Sequence, residues 1–119
     1  MERITGIGGF FFRANDPDML AAWYRDHFGI NPIPQKEGDE SWEQQAGPTA
    51  FAPFPASTDY FGSPSKSWML NFRVADLDAC VAFLRSAGVE VEVVADESFG
   101  KFARLKDPEG NPLELWQPT

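Results

Sequence analysis

The pattern of apolar and polar positions repeats along the chain with an offset of 60 residues. Residues 12–25 read FRANDPDMLAAWYR and residues 72–85 read FRVADLDACVAFLR, and six of these fourteen columns are identical. Average residue usage would give about one identity by chance over such a window. Most of the other columns are apolar in both copies. The pattern therefore indicates an internal duplication that produced two related modules.

Each copy reads as a strand followed by a helix. In the first copy Asp16 is a good N-cap, Pro17 suits the first helical position and Gly29 suits a left-handed helix end. In the second copy Asp76 and Gly88 mark the same two ends. Two helices of similar length are therefore predicted at equivalent places in the two modules.

Both predicted helices carry one apolar stripe, which is typical of a helix that packs on one side. The stripe of the first helix comprises Leu20, Trp23, Tyr24 and Phe28, and that of the second comprises Cys80, Phe83, Leu84 and Ala87. Because Cys80 lies on its stripe, we expect a buried and unreactive thiol.

After each helix the pattern of apolar and polar positions changes from that of a helix to that of strands. In the second copy, residues 89–94, 101–106 and 112–117 are predicted strands, and residues 107–110 form a tight turn. In the first copy, strands are predicted at residues 42–45 and 49–54. Each module is thus β-α-β-β-β, with a helix on one face of its sheet. We expect an α+β fold in which a cleft lies between two curved sheets.

A chain of 119 residues is long enough for one domain with a hydrophobic core. We assign residues 1–119 to a single domain. Module one covers about residues 1–56, a Pro- and Ser-rich linker covers about 55–67, and module two covers about 68–119.

The charge and cysteine content narrow the classes of partner. The net charge is -8 and the pI is about 4.5, whereas phosphate binding needs clustered Lys and Arg, so we expect no nucleic-acid partner. Cys80 is the single cysteine and allows no intrachain disulfide. No apolar run approaches the roughly 20 residues that span a bilayer. We therefore predict a cytoplasmic protein without a membrane partner.

Three segments carry a resemblance to a known family: FFFRANDPDMLAAWYRDHFGI, NFRVADLDACVAFLRSAGV and GKFARLKDPEGNPLELWQP. With these the chain resembles the vicinal-oxygen-chelate superfamily, which includes glyoxalase I, bleomycin-resistance proteins and extradiol dioxygenases. The resemblance covers essentially the whole chain. It implies two tandem βαβββ modules and a cleft between curved mixed sheets. It does not fix the reaction, because this fold has isomerases, oxygenases, transferases and non-catalytic binders.

The resemblance also implies where a metal would be held in metal-using relatives, on the first and last strand of each module. The four corresponding positions here are Gly9, Ala52, Met69 and Glu114. A divalent metal needs three or four good donors, so we expect no resident cofactor and disfavour a divalent metal. Gln44, Gln45 or a partner subunit stay open as other sources of donors. The lone histidine, His27, is expected to face away from the cleft.

Strand alternation predicts which side chains face the cleft. Phe11, Met69, Asn71 and Trp116 are candidate ligand-binding residues, and core filling between the sheets is the alternative for the three apolar ones. Glu114 is the candidate catalytic residue, either as a general base or as an acceptor for a ligand cation. Its alternative role is a carboxylate satisfied by Asn71, Arg104 or water. Arg13 and Arg73 are expected to pair with acidic side chains.

Three functions follow from these residues. The first is a glyoxalase-like protein that binds a small and mainly apolar molecule without the usual metal; whether it also transforms this molecule is left open. The second is a non-catalytic protein that sequesters a drug or metabolite, as bleomycin-resistance proteins do. The third is a metal-dependent lyase, isomerase or dioxygenase with atypical ligands. Whether the chain is an enzyme related to lactoylglutathione lyase is left open. A homodimer is a further expectation, with Trp42, Trp68, Tyr60 and Phe61 available for contact.

Overall fold

A computed structural model describes the backbone of residues 1–119 and the side chains of residues 1–94 and 98–119. Two helices and four strands follow one another along the chain. They are α1 (Pro17–Phe28), β1 (Leu70–Arg73), α2 (Leu77–Ser86), β2 (Glu92–Glu97), β3 (Gly100–Lys106) and β4 (Pro112–Pro118). The predicted α+β class is confirmed, with two helices and one open four-stranded sheet.

Both helices begin where their N-caps predict; α1 ends at the predicted Gly29, whereas α2 ends at Ser86 with Ala87 as its C-cap, one residue before the predicted Gly88. The side chain of Asp16 accepts a hydrogen bond from the backbone N–H of Met19, and Asp76 accepts one from Ala79. Gly29 ends α1 in the left-handed conformation, with φ of 70°. Such a φ is costly for a residue with a Cβ atom, so glycine suits this position.

The buried face of α2 differs from the predicted stripe. Leu77, Val81 and Leu84 are the buried residues of this helix. Phe83 is 51% exposed, and Cys80 is half-buried. The i, i+4, i+7 row therefore faces the sheet, and the prediction that placed Phe83 there is wrong. Both rows are apolar, so periodicity alone does not choose between them.

The sheet has the strand order β1-β4-β3-β2. β1 runs parallel to β4, and the β4–β3 and β3–β2 pairs are antiparallel. One face of the sheet packs against both helices and forms the core. The buried core residues are Leu20, Tyr24, Leu77, Val81, Leu84, Ala103, Leu105, Leu113 and Leu115. The core therefore joins the helices of both modules to the sheet of module two.

Module one contributes a helix to this core but no strand. Residues 42–45 and 49–54 are not in a strand, so these two strand predictions are wrong. Residues 1–11 and 31–57 are exposed along their whole length. A strand needs a ladder of N–H donors, and Pro48, Pro53 and Pro55 have none to give. In module two, β2 begins three residues later than predicted, at Glu92.

The closing hairpin of module two fastens α1 in place. The hydroxyl of Tyr24 donates to Asp107 Oδ2 at 2.6 Å inside the core. Burial, and then the hydrogen bond to Asp107, raise the pKa of Tyr24 well above its ordinary value. The Glu109 carboxylate accepts from the backbone N–H groups of Asn15 at 2.6 Å and Asp16 at 3.0 Å. Module one is therefore tied to module two at the start of α1 and along its buried face.

No helix in the described part of the chain is long and apolar enough to cross a membrane.

Candidate functional site

The sheet face opposite the helices carries a row of polar side chains. Asn71 on β1 pairs with Glu114 on β4, and Glu114 pairs with Arg104 on β3. Because Leu113 and Leu115 point into the core, strand alternation places Glu114 and its row on the other face. Three adjacent strands thus bring an amide, a carboxylate and a guanidinium into one line.

Glu114 is the centre of this row, and it is 7% exposed. The hydroxyl of Tyr60 donates to Oε2 at 2.5 Å, and Asn71 Nδ2 donates to Oε1 at 2.7 Å. Arg104 Nε lies 3.7 Å from Oε2. A buried carboxylate is costly unless it is paired and hydrogen-bonded, and here both oxygens have a donor. The arrangement suits a fixed acceptor with its charge balanced by Arg104.

Tyr60 comes from the linker and was missed as a site residue by sequence reasoning, which considered it only for dimer contact. The guanidinium carbon of Arg104 lies 3.9 Å from the centre of its ring, within cation–π range. Burial, followed by the hydrogen bond to Glu114, raises the pKa of Tyr60. The ring also packs against Phe54 at 5.3 Å. An aromatic residue in a Pro- and Ser-rich linker was the available signal in the sequence.

A broad cleft of about 2120 Å³ lies between the sheet and the segments of module one. The predicted site residues all border it: Phe11, Met69, Asn71, Glu114 and Trp116. Phe11 is 82% exposed, whereas Met69 is half-buried. Ligand pockets are commonly about 300–1,000 Å³ and mainly apolar. The cleft is thus wider than one small ligand needs, and its lining includes both aromatic and polar side chains.

Trp116 has a fixed position at one end of this cleft. Its indole N–H donates to the carbonyl of Phe99 at 3.0 Å. The ring lies parallel to that of Phe102 on β3, with ring centres 6.3 Å apart. A buried or half-buried indole is favoured when its N–H has a partner. Trp116 therefore presents a rigid apolar surface.

Arg73 binds main-chain carbonyls and has no acidic partner among the described side chains. Nη1 donates to Pro48 O at 2.5 Å, and Nη2 donates to Gln45 O at 2.5 Å. The expectation of a carboxylate partner is therefore wrong for this residue. The contact joins the end of β1 to the segment of module one that faces the sheet.

The residues at the family's metal positions do not fit a divalent metal. Gly9 and Ala52 offer no side-chain donor, Met69 offers a weakly binding thioether, and Glu114 is held by other side chains. Among the described side chains, no three His, Cys, Asp or Glu residues group in a way that could hold a metal ion.

His27 lies in the last turn of α1 and is half-buried. Its ring stacks on Trp23 with centres 4.8 Å apart, and Nδ1 lies 2.8 Å from Trp23 O. These local contacts one helical turn apart account for the orientation of the imidazole.

Residues 9–116 match the family described as glyoxalase-like domain, and the chain belongs to this family. Its fold is that of the glyoxalase, bleomycin-resistance and dioxygenase superfamily, which confirms the resemblance seen in the sequence.

Similar solved structures include TnmS3, an antibiotic binding protein from Streptomyces sp. CB03234. It is 26% identical over 100% of both chains, with a TM-score of 0.68. A lactoylglutathione lyase from Agrobacterium tumefaciens is 20% identical, covering 98% of this chain and 96% of the other, with a TM-score of 0.65. A glyoxylase/bleomycin resistance protein/dioxygenase domain from Frankia sp. EAN1pec is 17% identical, covering 98% and 100%, with a TM-score of 0.63. The last two likenesses concern the fold alone. No curated protein matches the sequence.

Proposed function

We propose that this protein binds a small, mainly apolar molecule in the cleft and holds it without transforming it. The observation that carries the proposal is the state of Glu114. Its two carboxylate oxygens already accept hydrogen bonds from Tyr60 and Asn71, and Arg104 lies beside it. A general base must reach the proton that it removes, and Glu114 is only 7% exposed, with a donor on each of its oxygens. Glu114 is better suited to fixing the floor of a binding site.

The lining of the cleft supports an apolar ligand. Phe11 and Phe51 border the cleft and are 82% and 88% exposed, and Trp116 lies at its end. Contiguous exposed apolar surface often marks a ligand-binding groove or an interaction site. Asn71 uses its amide N–H toward Glu114, so its carbonyl oxygen is available to accept a hydrogen bond from the ligand. The site would thus combine aromatic contact with one polar anchor.

Sequestration of a drug is the version of this function that we favour. TnmS3, the antibiotic binding protein, is similar over the full length of both chains. The net charge of -8 would also attract cationic compounds and repel anionic ones. An enzyme that uses Glu114 as its base stays an untested prediction.

The test is a titration of the purified protein with a panel of apolar antibiotics, both neutral and cationic, followed by isothermal calorimetry. We expect saturable binding of at least one compound and its recovery unchanged by mass spectrometry. Conversion of a compound by substoichiometric protein would contradict the proposal. In that case Glu114→Gln, compared with Tyr60→Phe, would tell whether the carboxylate acts as the base.

Metal analysis of protein purified without an affinity tag tests the alternative function of a metal-dependent enzyme. We propose that no divalent metal copurifies, because the family positions hold only one carboxylate. A stoichiometric metal, with stabilisation that follows its concentration, would restore a metal-dependent lyase or dioxygenase as the leading function.

A homodimer in the cytoplasm is part of the proposal. Exposed apolar residues of module one other than the proposed ligand contacts would be covered by a second copy; they include Ile4, Ile7 and Phe10. The single cysteine supports a reducing compartment. Light scattering after size exclusion should give twice the mass of 13.3 kDa, and a mass of one chain would contradict the dimer.

A further inference from the structure

One side chain crosses from the sheet of module two to the exposed segment of module one. Arg73 is the last residue of β1, an edge strand of the sheet, and it pairs with Trp116 in the parallel ladder. Its guanidinium donates to Gln45 O and Pro48 O through two different nitrogens. Residues 45–48 belong to a stretch that is exposed throughout and forms no strand. The two carbonyls are therefore held by a side chain in place of a strand partner.

The geometry of the contact requires arginine. Guanidinium is planar and carries its donors in a fixed fork, so it can bind two carbonyl groups at once. A lysine ammonium keeps the charge but not this shape. Arg13 occupies the same repeat column in module one and is exposed. Among the described side chains it makes no hydrogen bond or ion pair, so it is a natural control.

Gly47 lies between the two bound carbonyls and is fitted to the guanidinium. A Cβ atom at this position would stand 2.7 Å from Arg73 Nε and 2.8 Å from Cζ. Contacts that short do not occur, so a side chain at position 47 would displace the guanidinium. The contact of Arg73 with the two carbonyl groups therefore depends on glycine at position 47.

The bound segment continues into the aromatic side of the cleft. Phe51 borders the cleft, and Phe54 packs on Tyr60, whose hydroxyl binds Glu114. Residues 45–54 are thus fastened near one end by Arg73 and at the other by Phe54. The residues between these two anchors face the sheet across the cleft.

We propose that Arg73 is a positioning residue that holds residues 45–54 as the far wall of the cleft and so sets how tightly the cleft binds an apolar ligand. This inference rests on the proposed function, and it identifies Arg73 as a residue on which the affinity of the cleft for its ligand depends.

The test compares Arg73→Gln, Arg73→Lys, Gly47→Ala and the control Arg13→Gln. Backbone ¹⁵N relaxation measures the order of residues 45–52, and the neutral dye Nile red reports apolar binding by fluorescence titration. In the parent protein we expect rigid values for this segment, near an order parameter of about 0.85, falling below about 0.6 in Arg73→Gln. Nile red affinity should fall about tenfold in Arg73→Gln, less in Arg73→Lys, and remain unchanged in Arg13→Gln.

Gly47→Ala tests the contact without removing the arginine. As a single substitution it should lower both the order of residues 45–52 and the affinity for Nile red. In the Arg73→Gln background it should have no further effect, because both changes break one contact. Additive effects, or unchanged order in Arg73→Gln, would overturn the proposal. Lost order with unchanged affinity would overturn the role of Arg73 in binding. A parent protein that binds no Nile red would count against the proposed function, while the relaxation data would still decide whether Arg73 holds the wall.

Discussion

The two copies of the repeat begin with similar sequences and end in different structures. Module two has a helix and four mutually hydrogen-bonded strands, whereas module one has a helix of its own and no strand. The helices nevertheless pack into one core, and the equivalent positions Tyr24 and Leu84 are both buried. A helix satisfies its backbone within itself, but a strand depends on its neighbour. The comparison teaches that duplication preserved the helices more directly than the sheets.

The difference between the modules predicts where stability resides. Leu115 is fully buried in the core of module two, whereas Phe51 in module one is 88% exposed. Leu115→Ala should lower the free energy of unfolding by about 2–5 kcal/mol. Phe51→Ala should change it by no more than about 0.5 kcal/mol. Urea denaturation of both variants at low protein concentration measures this. A comparable loss in Phe51→Ala would show that module one is packed after all, by a second copy or by its own strands.

The buried link between the modules should have the next largest effect. Tyr24→Phe removes the hydroxyl that donates to Asp107, a residue only 4% exposed. A hydrogen bond to a charged group contributes about 1.5–3 kcal/mol, so we expect a loss of that size. The carboxylate keeps the amide of Asn111 and two backbone N–H groups, which favours the lower end. A loss under about 0.5 kcal/mol would mean that the hydroxyl is not needed to join the modules.

The same link gives a pH dependence with a defined sign. The pKa of Tyr24 is raised in the folded protein, mainly by burial, and that of Tyr60 is raised as well. Unfolded tyrosine ionises near pH 10, so above this pH the unfolded chain loses protons that the folded chain retains. The stabilisation is complete below about pH 10 and falls as the pH rises further. Urea titrations from pH 8 to 11 should show a steeper loss in the parent protein than in Tyr24→Phe. Equal slopes would contradict this assignment.

The hairpin carboxylate of Glu109, at the start of α1, should contribute less to stability than Leu115 or the Tyr24 hydroxyl. Glu109→Ala removes the acceptor of the N–H groups of Asn15 and Asp16, while Asp16 keeps its own capping bond to Met19. Loss of such a cap costs about 1 kcal/mol. The exposed Glu90 provides a control, since Glu90→Ala removes the same charge at a position outside the start of α1. If both variants unfold at the same urea concentration, the hairpin does not stabilise α1.

Much of the fold was predictable because its signals are local. Asp16 and Asp76 cap the helices through bonds to the third residue onward, and the turn at residues 107–110 carries its own Asp, Pro and Gly. The absence of strands from module one was not predictable from alternation. The predicted strand at 49–54 has suitable apolar residues, but Pro53 has no N–H donor and no partner strand is present among the described residues.

The candidate site likewise contains some contacts that the sequence predicts and others that it does not. Alternation correctly brought Asn71 and Glu114 onto one face, since both follow from strand register. Tyr60 lies 54 residues from Glu114 along the chain, and Pro48 and Gln45 lie 25 and 28 residues from Arg73. Gln45, Pro48 and Tyr60 lie in no strand, so alternation does not place them, and several acceptors were equally available to Arg73 in the sequence. Contacts of this kind become defined only when the chain is folded.

The sequence by itself determined the duplication, the two helices with their ends, the family and the scarcity of metal donors, because each depends on residue identity or on spacing within a few positions. Tertiary structure decided which copy forms a sheet, which partners hold Glu114, and that Arg73 joins β1 to the opposite side of the cleft. The reason is physical: helix caps act over one turn, whereas strand pairing and buried polar contacts depend on groups brought together by the packing of distant segments.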